Sequence, residues 1–288
     1  MSIDRRSFLK VLGVTGAALA TGSELQASPG GGNPVEFKAI LYDSSRCVGC
    51  RSCEYSCAEE NKLPDPPDDV EGIRTTDELH RTVVNEYQTS KGPMYLKTQC
   101  MHCNEPACAA ACLTQAMHKT EEGPVVWRGE KCMGCRYCMV SCPFDIPKFE
   151  YHSANPKIQK CTMCYENRVK DGKIPACVEN CGNEALMFGT RRDLIREARK
   201  RIVENPDVYI DHIYGEEEAG GTGFLYLASV PFEELGLKTN LQKSSYPALT
   251  KTFLYSVPTV FVVMPALLLG IHNATKRNQN HQSHDDES

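Results

Sequence analysis

The chain is 288 residues long, 41% hydrophobic, and carries a net charge of −5 with sixteen cysteines. Its length allows one large domain or two small ones, and mild acidity without a basic, aromatic-interleaved run excludes a nucleic-acid partner. Cysteine inflates the apolar count, so the conventional core is thin and metal clusters are expected to cross-link it.

Residues 1–27 read as an export signal. Asp4-Arg5-Arg6-Ser7-Phe8-Leu9-Lys10 precedes an uncharged run from Val11 to Ser23, too short and too rich in glycine and alanine for a membrane span. The paired arginines with Phe-Leu-Lys resemble the twin-arginine signal. Asp4 stands where Ser or Thr is usual, and Leu25-Gln26-Ala27 is the expected cleavage site. That route carries folded cargo, so the thiols can take up metal in the reducing cytoplasm before export. An unfolded chain entering an oxidising compartment would form disulfides instead.

Gly30-Gly31-Gly32-Asn33-Pro34 is a flexible linker, and Phe37 to Tyr42 is a predicted strand. Four cysteine groups follow. Group one is Cys47, Cys50, Cys53 and Cys57. A polar, proline-containing stretch, Leu63 to Lys91, reads as a surface insertion. Group two is Cys100, Cys103, Cys108 and Cys112. Group three, behind a short strand at Val125-Val126-Trp127, is Cys132, Cys135, Cys138 and Cys142. Group four is Cys161, Cys164, Cys177 and Cys181, with twelve residues between its halves, and a strand is expected over Ala185 to Phe188.

Group three with Pro143 is C-x2-C-x2-C-x3-C-P, the bacterial ferredoxin run. Three closely spaced thiolates wrap one cube of iron and sulfide, and the fourth, displaced by a helical turn, typically ligates a second. Gly134 suits a backbone that passes close to inorganic sulfide. Group one matches group three at Cys, Gly, Cys, Arg, Cys, Ser and Cys. Groups two and four share Pro-Ala-Cys-x3-Cys-x3-Ala, at Pro106 to Ala116 and Pro175 to Ala185. Duplication of a two-group unit accounts for both likenesses. At four thiolates per cubane, the sixteen cysteines make four [4Fe–4S] clusters. Zinc sites and a disulfide scaffold are the competing readings, but two runs of three cysteines at x2 spacing fit a ferredoxin loop better than tetrahedral knuckles. Nineteen residues separate groups two and three and eighteen separate three and four, so spacing leaves the pairing open.

Thr190-Arg-Arg-Asp193 opens an amphipathic helix to about Val203, with a Thr190/Asp193 cap. Leu194, Ile195, Ala198 and Ile202 form its buried face, and its basic face is solvated. Thr252 to Thr275, twenty-four residues, contains no Lys, Arg, Asp or Glu. At 1.5 Å per residue it reaches about 36 Å, enough to cross a hydrocarbon core of about 30 Å. Pro258 and Pro265 predict a kink that neighbouring helices would tolerate. Lys276 and Arg277 predict a cytoplasmic tail and place the cluster-bearing body on the periplasmic face of the inner membrane.

His102 is expected to pack or to cap a loop turn. Arg51 and Arg136 are expected near clusters, where stabilising a reduced state and surface pairing are equal alternatives. Trp127 reads as core. No Ser-His-Asp set, phosphate loop or nucleotide fingerprint is present, so no substrate-converting site is expected.

On these residues the chain resembles the four-cluster ferredoxin-like electron-transfer subunits of membrane-bound periplasmic oxidoreductases. These include the β subunits of formate dehydrogenase and dimethyl sulfoxide reductase and the electron-transfer subunit of hydrogenase-2. The hydrogenase-2 branch is most similar, through the Cys-Met-His-Cys and Cys-Arg-Tyr-Cys-Met-Val runs, Pro147 to Tyr151, Phe188 to Arg191, Ile213 to Thr222 and Val230 to Leu235. The resemblance implies an α+β fold of two fused bacterial-ferredoxin-like lobes, rich in loops. Lobe I would take 28–95 and 155–190, and lobe II 96–154. An extension at 191–250, the transmembrane helix at 252–275 and the tail at 276–288 would follow.

It also implies nested pairing. Cys47, Cys50 and Cys53 would share a cluster with Cys181, and Cys57 with Cys161, Cys164 and Cys177. In the other lobe Cys100, Cys103 and Cys108 would join Cys142, and Cys112 would join Cys132, Cys135 and Cys138. The partners implied are the small and large subunits of a [NiFe] hydrogenase and an integral membrane quinone-reactive subunit. A formate dehydrogenase or another molybdopterin oxidoreductase is the alternative. In one respect the chain departs from the ferredoxin pattern: Cys57, Cys112 and Cys181 precede Ala58, Leu113 and Gly182 rather than proline.

Overall fold

The computed structural model describes residues 36–285, so the expected signal at 1–27 lies outside the described residues. In chain order the first half contains β1 (Lys38–Asp43), α1 (Ser52–Asn61), β2 (Val83–Thr89), β3 (Gly92–Thr98), α2 (Ala107–Ala110), β4 (Met117–Lys119) and β5 (Val125–Trp127). Then come α3 (Tyr137–Val140), β6 (Lys148–Phe149), β7 (Ile158–Gln159), α4 (Ala176–Glu179), β8 (Leu186–Thr190), α5 (Arg191–Glu204), β9 (Phe224–Leu227) and α6 (Tyr246–Asp285).

β1 is the middle strand of the only three-stranded sheet among the described residues, antiparallel to β8 and parallel to β9. Its side chains alternate between two cores, with the period of two that a strand buried on both faces requires. Ala39 and Leu41 pack with Leu194, Ala198 and Ile202 of α5. Ile40 and Tyr42 face the other way, where Cys47, Cys53, Cys103, Cys177 and Cys181 lie against the same apolar cluster. The sheet is thus the wall on which the cysteine loops are mounted. Three tyrosines pin that wall to its surroundings: Tyr42 donates to the Tyr95 carbonyl at 2.7 Å, Tyr226 to Lys97 at 2.9 Å and Tyr214 to Lys238 at 2.8 Å.

Several expectations shift. The segment 191–250 is not an appendage, because Phe224-Leu225-Tyr226-Leu227 is wholly buried and completes the central sheet. The stretch expected as a surface insertion is not surface throughout. From Val83 it enters the β2–β3 hairpin, registered from Val83 opposite Thr98 to Thr89 opposite Gly92, with Val83, Val84 and Asn85 buried. The hairpin also crosses the lobe boundary expected at residue 95. On α5 the Thr190 hydroxyl accepts the Asp193 N–H as read, but Ile195 is only partly buried and Arg201 is buried. The reason is Asp43 at the end of β1, 1% exposed, whose carboxylate takes a guanidinium hydrogen bond from Arg201 at 3.0 Å and a hydroxyl bond from Tyr209 at 2.7 Å. A buried carboxylate needs that counter-charge.

The final helix, α6, begins ahead of the expected span and contains both Pro258 and Pro265. Tyr246–Asn273 within it is long and apolar enough to cross a membrane, at a mean hydropathy of 2.0. Its large apolar side chains, Phe253, Leu254, Phe261 and Leu269 among them, are exposed, as a lipid- or partner-facing helix would leave them.

Candidate metal centres

The duplication read in the sequence is repeated in the backbone. Gly49, His102, Gly134 and Met163 each precede the second cysteine of a group, and all four are left-handed, at φ 69°, 48°, 73° and 57°. Arg51 and Arg136 are left-handed as well, at 60° and 61°, and each heads the helix that bears the third cysteine. In groups two and four, Pro106 and Pro175 head α2 and α4 instead, in extended conformation, which suits proline at a helix start. Past the last cysteine of groups two, three and four, Gln115, Asp145 and Glu184 are left-handed. Each donates its N–H back to the carbonyl of Cys112, Cys142 or Cys181, at 3.0, 3.2 and 3.0 Å. A left-handed non-glycine residue costs about 1–2 kcal/mol, so these loops hold a shape that the chain alone does not favour.

All sixteen cysteines are free, so the disulfide scaffold is not formed. No three His, Cys, Asp or Glu side chains among the described residues converge on a single-ion site. A zinc knuckle, with Zn–S bonds of about 2.3 Å, needs that convergence. The thiols gather more loosely, and their mutual repulsion shows how. Burial raises the Cys47 thiol, with Cys50 and Cys181 adding to it. Burial pushes Cys53 up to about 11, with Cys47 and Cys181 among its repelling neighbours; these four are set A. Burial lifts Cys57 far above the thiol range, and Cys161, Cys177 and Cys164 reinforce it; these are set B. Cys103 is raised likewise by burial and then by Cys100, Cys142 and Cys108, which with it make set C. Burial pushes Cys138 up to about 11, joined by Cys112, Cys132 and Cys135, the members of set D.

Three repulsions cross from one set to another: Cys53 with Cys177, Cys100 with Cys161, and Cys108 with Cys138. They link A to B, B to C and C to D. Cys50 of set A and Cys135 of set D are exposed, and no cysteine of sets B and C is.

The surroundings fit an iron–sulfur cluster. All four thiols of set B line one small enclosed cavity with Ile40, Lys97 and Met163. Raised thiol pKa values mean that protons occupy these sulfurs unless a cation replaces them, the exchange that metal binding performs. His102 is fully buried, and burial together with Lys160 and Lys119 holds its imidazole neutral. Its Nδ1 accepts the Val125 N–H at 2.9 Å, which fixes the other proton on Nε2, and that buried N–H has no protein partner. The expected role of His102, fastening a loop, is present, and it leaves a donor inside the group-two loop.

Sequence reading missed three lysines. Lys97 and Lys160 are 2% and 3% exposed, and Lys119 is half-buried with its ammonium bonded to the carbonyls of Cys103 (2.8 Å) and Gly123 (2.9 Å). The one signal for Lys160 is its place directly before a first cysteine, which Arg46 and Lys131 share while remaining exposed. Of the two arginines singled out, Arg51 pairs with Glu54 (3.4 Å) and donates to the Pro67 carbonyl (2.7 Å). Arg136 stacks over Phe149 and Tyr151. Trp127 packs beside Cys108, Cys112 and Cys138.

Around set D the surface is apolar: Leu113, Met133, Tyr137 and Val140 are 80%, 64%, 60% and 87% exposed. Val140 and Cys142 also line a broad groove that continues along Tyr246, Leu254 and Pro258 of α6. The helices α2 and α3, which bear cysteines of sets C and D, therefore border the root of the apolar helix.

The 4Fe-4S dicluster domain family matches residues 93–191, which contain groups two, three and four. The twin-arginine translocation signal matches residues 2–22. A protein of Nitratidesulfovibrio vulgaris is 47% identical over 290 residues, covering 96% of this chain and 78% of its own length. The hydrogenase-2 operon protein HybA of Escherichia coli O157:H7 is 32% identical over 324 residues, 98% of each chain. The iron-sulfur subunit of the nitrate-inducible formate dehydrogenase of Escherichia coli K12 is 32% identical over 200 residues, 66% of this chain and 67% of that one.

Proposed function

The chain belongs to the family of ferredoxin-like iron–sulfur electron-transfer subunits that includes HybA, and from that premise we propose that it holds four [4Fe–4S] clusters in a line. The ligands would be Cys47, Cys50, Cys53 and Cys181 in set A, and Cys57, Cys161, Cys164 and Cys177 in set B. Set C would use Cys100, Cys103, Cys108 and Cys142, and set D Cys112, Cys132, Cys135 and Cys138. The observation that carries the reading is that buried thiols raise one another's pKa values in four groups of four, with one repulsion linking successive groups. Bound clusters supply one-electron storage at potentials between about −700 and +450 mV. The protein's own part is to space them, to exclude water from sets B and C, and to expose sets A and D. Like its relatives, the chain is an electron-transfer subunit of an oxidoreductase complex, with no catalysis of its own.

In this reading the exposed end at Cys50 meets a catalytic partner. Next to α6, the apolar rim of set D meets an integral membrane quinone-reactive subunit. Full-length similarity to a hydrogenase-2 operon protein favours the small and large subunits of a [NiFe] hydrogenase as the partner. Similarity to components of formate dehydrogenase and tetrathionate reductase over about two thirds of the chain supports the alternative, a molybdopterin oxidoreductase. The twin-arginine signal exports the chain to the periplasm, and α6 fits a membrane anchor. Lys276 and Arg277 would hold its end in the cytoplasm.

Anaerobic purification of the complex from membranes tests both levels. About sixteen irons per chain are expected from four cubanes, with nickel in the co-purifying subunit; molybdenum there selects the alternative, and zinc with no visible absorption overturns the whole reading.

A further inference from the structure

Two buried ammonium groups lie where neighbouring thiol sets meet. Lys97, near the end of β3, lines the set B cavity and is held by the Thr82 hydroxyl and the Gln99 side-chain carbonyl. The thiolates that act on it are Cys53 of set A and Cys177, Cys161 and Cys57 of set B. Two of these, Cys53 and Cys177, are the pair whose repulsion links A and B. Lys160 repeats the arrangement one step along: its Nζ lies 3.7 Å from the Cys100 sulfur of set C and 2.9 Å from the carbonyl of Cys161 of set B. Cys100 and Cys161 form the B–C crossing.

Neither lysine has a carboxylate partner among the described residues; their bonds go to neutral oxygens and cysteine sulfur. An unpaired buried ammonium costs several kcal/mol, so an anion must compensate it, and the acidic groups that act most on Lys97, and the one beside the Lys160 ammonium, are thiols. At the third crossing, Cys108 with Cys138, Lys160 acts on Cys108 from the set C side, and among the described residues no cation is bonded to a set D thiol. This crossing is packed by Met117, Val125 and Ile158.

We infer that Lys97 and Lys160 are potential-setting residues, each one a positive charge shared by two neighbouring clusters. The inference rests on the four-cluster reading. A cubane with four thiolates is anionic and gains another negative charge on reduction, and net charge is one of the determinants of its potential. A fixed ammonium between two such groups favours the reduced form of both and weakens their repulsion when both are reduced. It makes reduction easier at A, B and C and leaves D, behind an apolar junction, without that help. Lys119, bonded to the carbonyls of Cys103 and Gly123, has among its neighbouring thiols only Cys103, Cys100 and Cys108 of set C, and acts on one cluster alone.

The test is redox titration of the purified complex by electron paramagnetic resonance, with iron counted in every sample. Lys97→Met is expected to move two cluster midpoints to more negative values, Lys160→Met two with one in common, and Lys119→Met one. Lys97→Arg should keep the wild-type values. If Lys97→Met loses iron, Gln99→Glu neutralises the ammonium in place and should give the same negative shift. Unchanged midpoints in a fully loaded Lys97→Met or Gln99→Glu protein overturn the inference. An iron count in the wild-type protein well below about sixteen instead overturns the four-cluster reading, so the two failures are separable.

Discussion

Groups one and three carry nearly the same loop, and the molecule treats them in opposite ways. Around Cys47 to Cys57 the loop is buttressed from behind, although Val48 and Cys50 stay exposed. Gly49 lies under the ring of Tyr95 from the β2–β3 hairpin, Arg51 is tied to Glu54 and Pro67, and the helix runs on for ten residues. Buried Glu54 then binds Arg74 and accepts the Val84 N–H. Around Cys132 to Cys142 the loop is open. Nothing approaches Gly134 within 4 Å, the helix has four residues, Pro143 stops it, and Met133, Tyr137 and Val140 face outward. The shared residues are those that shape a backbone around sulfur; the differing ones decide whether protein or a partner covers it. A buttressed loop takes its shape from the fold, and an open one with an apolar rim is left for a partner to cover.

Removing iron should break the comparison most completely. The first loop leans on a three-stranded sheet that α5 backs from its other face, whereas the second packs against the short pairs β4–β5 and β6–β7. Two-stranded pieces are marginal without added support, so the metal contributes a larger share of the folding energy there. Hydrogen exchange after anaerobic chelation is expected to lose protection across 100–160 first, with β1, β8 and β9 holding longer. Simultaneous loss would show that the sheet does not stabilise its side independently.

Alanine at the two glycines gives the next effect. At Gly49, with φ 69°, a Cβ would overlap the Tyr95 ring, so overpacking adds to left-handed strain and the total is about 2–5 kcal/mol. At Gly134, with φ 73° and open space, only the strain remains, about 1–2 kcal/mol. Denaturation midpoints of the loaded proteins measure both. Tyr95→Ala should recover part of the Gly49→Ala loss and none of the Gly134→Ala loss.

This contrast also explains what the sequence made legible. Cysteine spacing, the Gly and Arg positions shared by groups one and three, the strand at Val125–Trp127 and the Thr190 cap are local, because each states its own geometry within a few residues. The β2–β3 hairpin was hidden by its polar lead-in, although Val83 to Thr89, Ser90-Lys91 and Gly92 to Thr98 do form strand, turn and strand. The parallel pairing of β1 with β9 joins segments far apart in the chain, and no period reports that. Lys97, Lys160 and Arg201 are charged residues whose burial depends wholly on thiols or a carboxylate brought from elsewhere. Polarity alone puts them outside, and only the assembled neighbourhood puts them in.

The smallest effect comes from the paired arginines, which the repeat makes equivalent and the surroundings do not. Arg51→Ala removes charged hydrogen bonds to Glu54 and to the Pro67 carbonyl, a loss of about 1–3 kcal/mol, moderated because Arg74 still neutralises Glu54. Arg136→Ala removes an exposed guanidinium stacked 5.5 Å from Phe149 and 5.7 Å from Tyr151, worth about 0.5–1 kcal/mol at such a site. Midpoints for both variants with full iron should therefore keep the order of the glycine pair. The reverse order would mean that the open loop is held by its own aromatic stack rather than waiting for a partner, and the distinction between a built-in loop and an interface loop would fall.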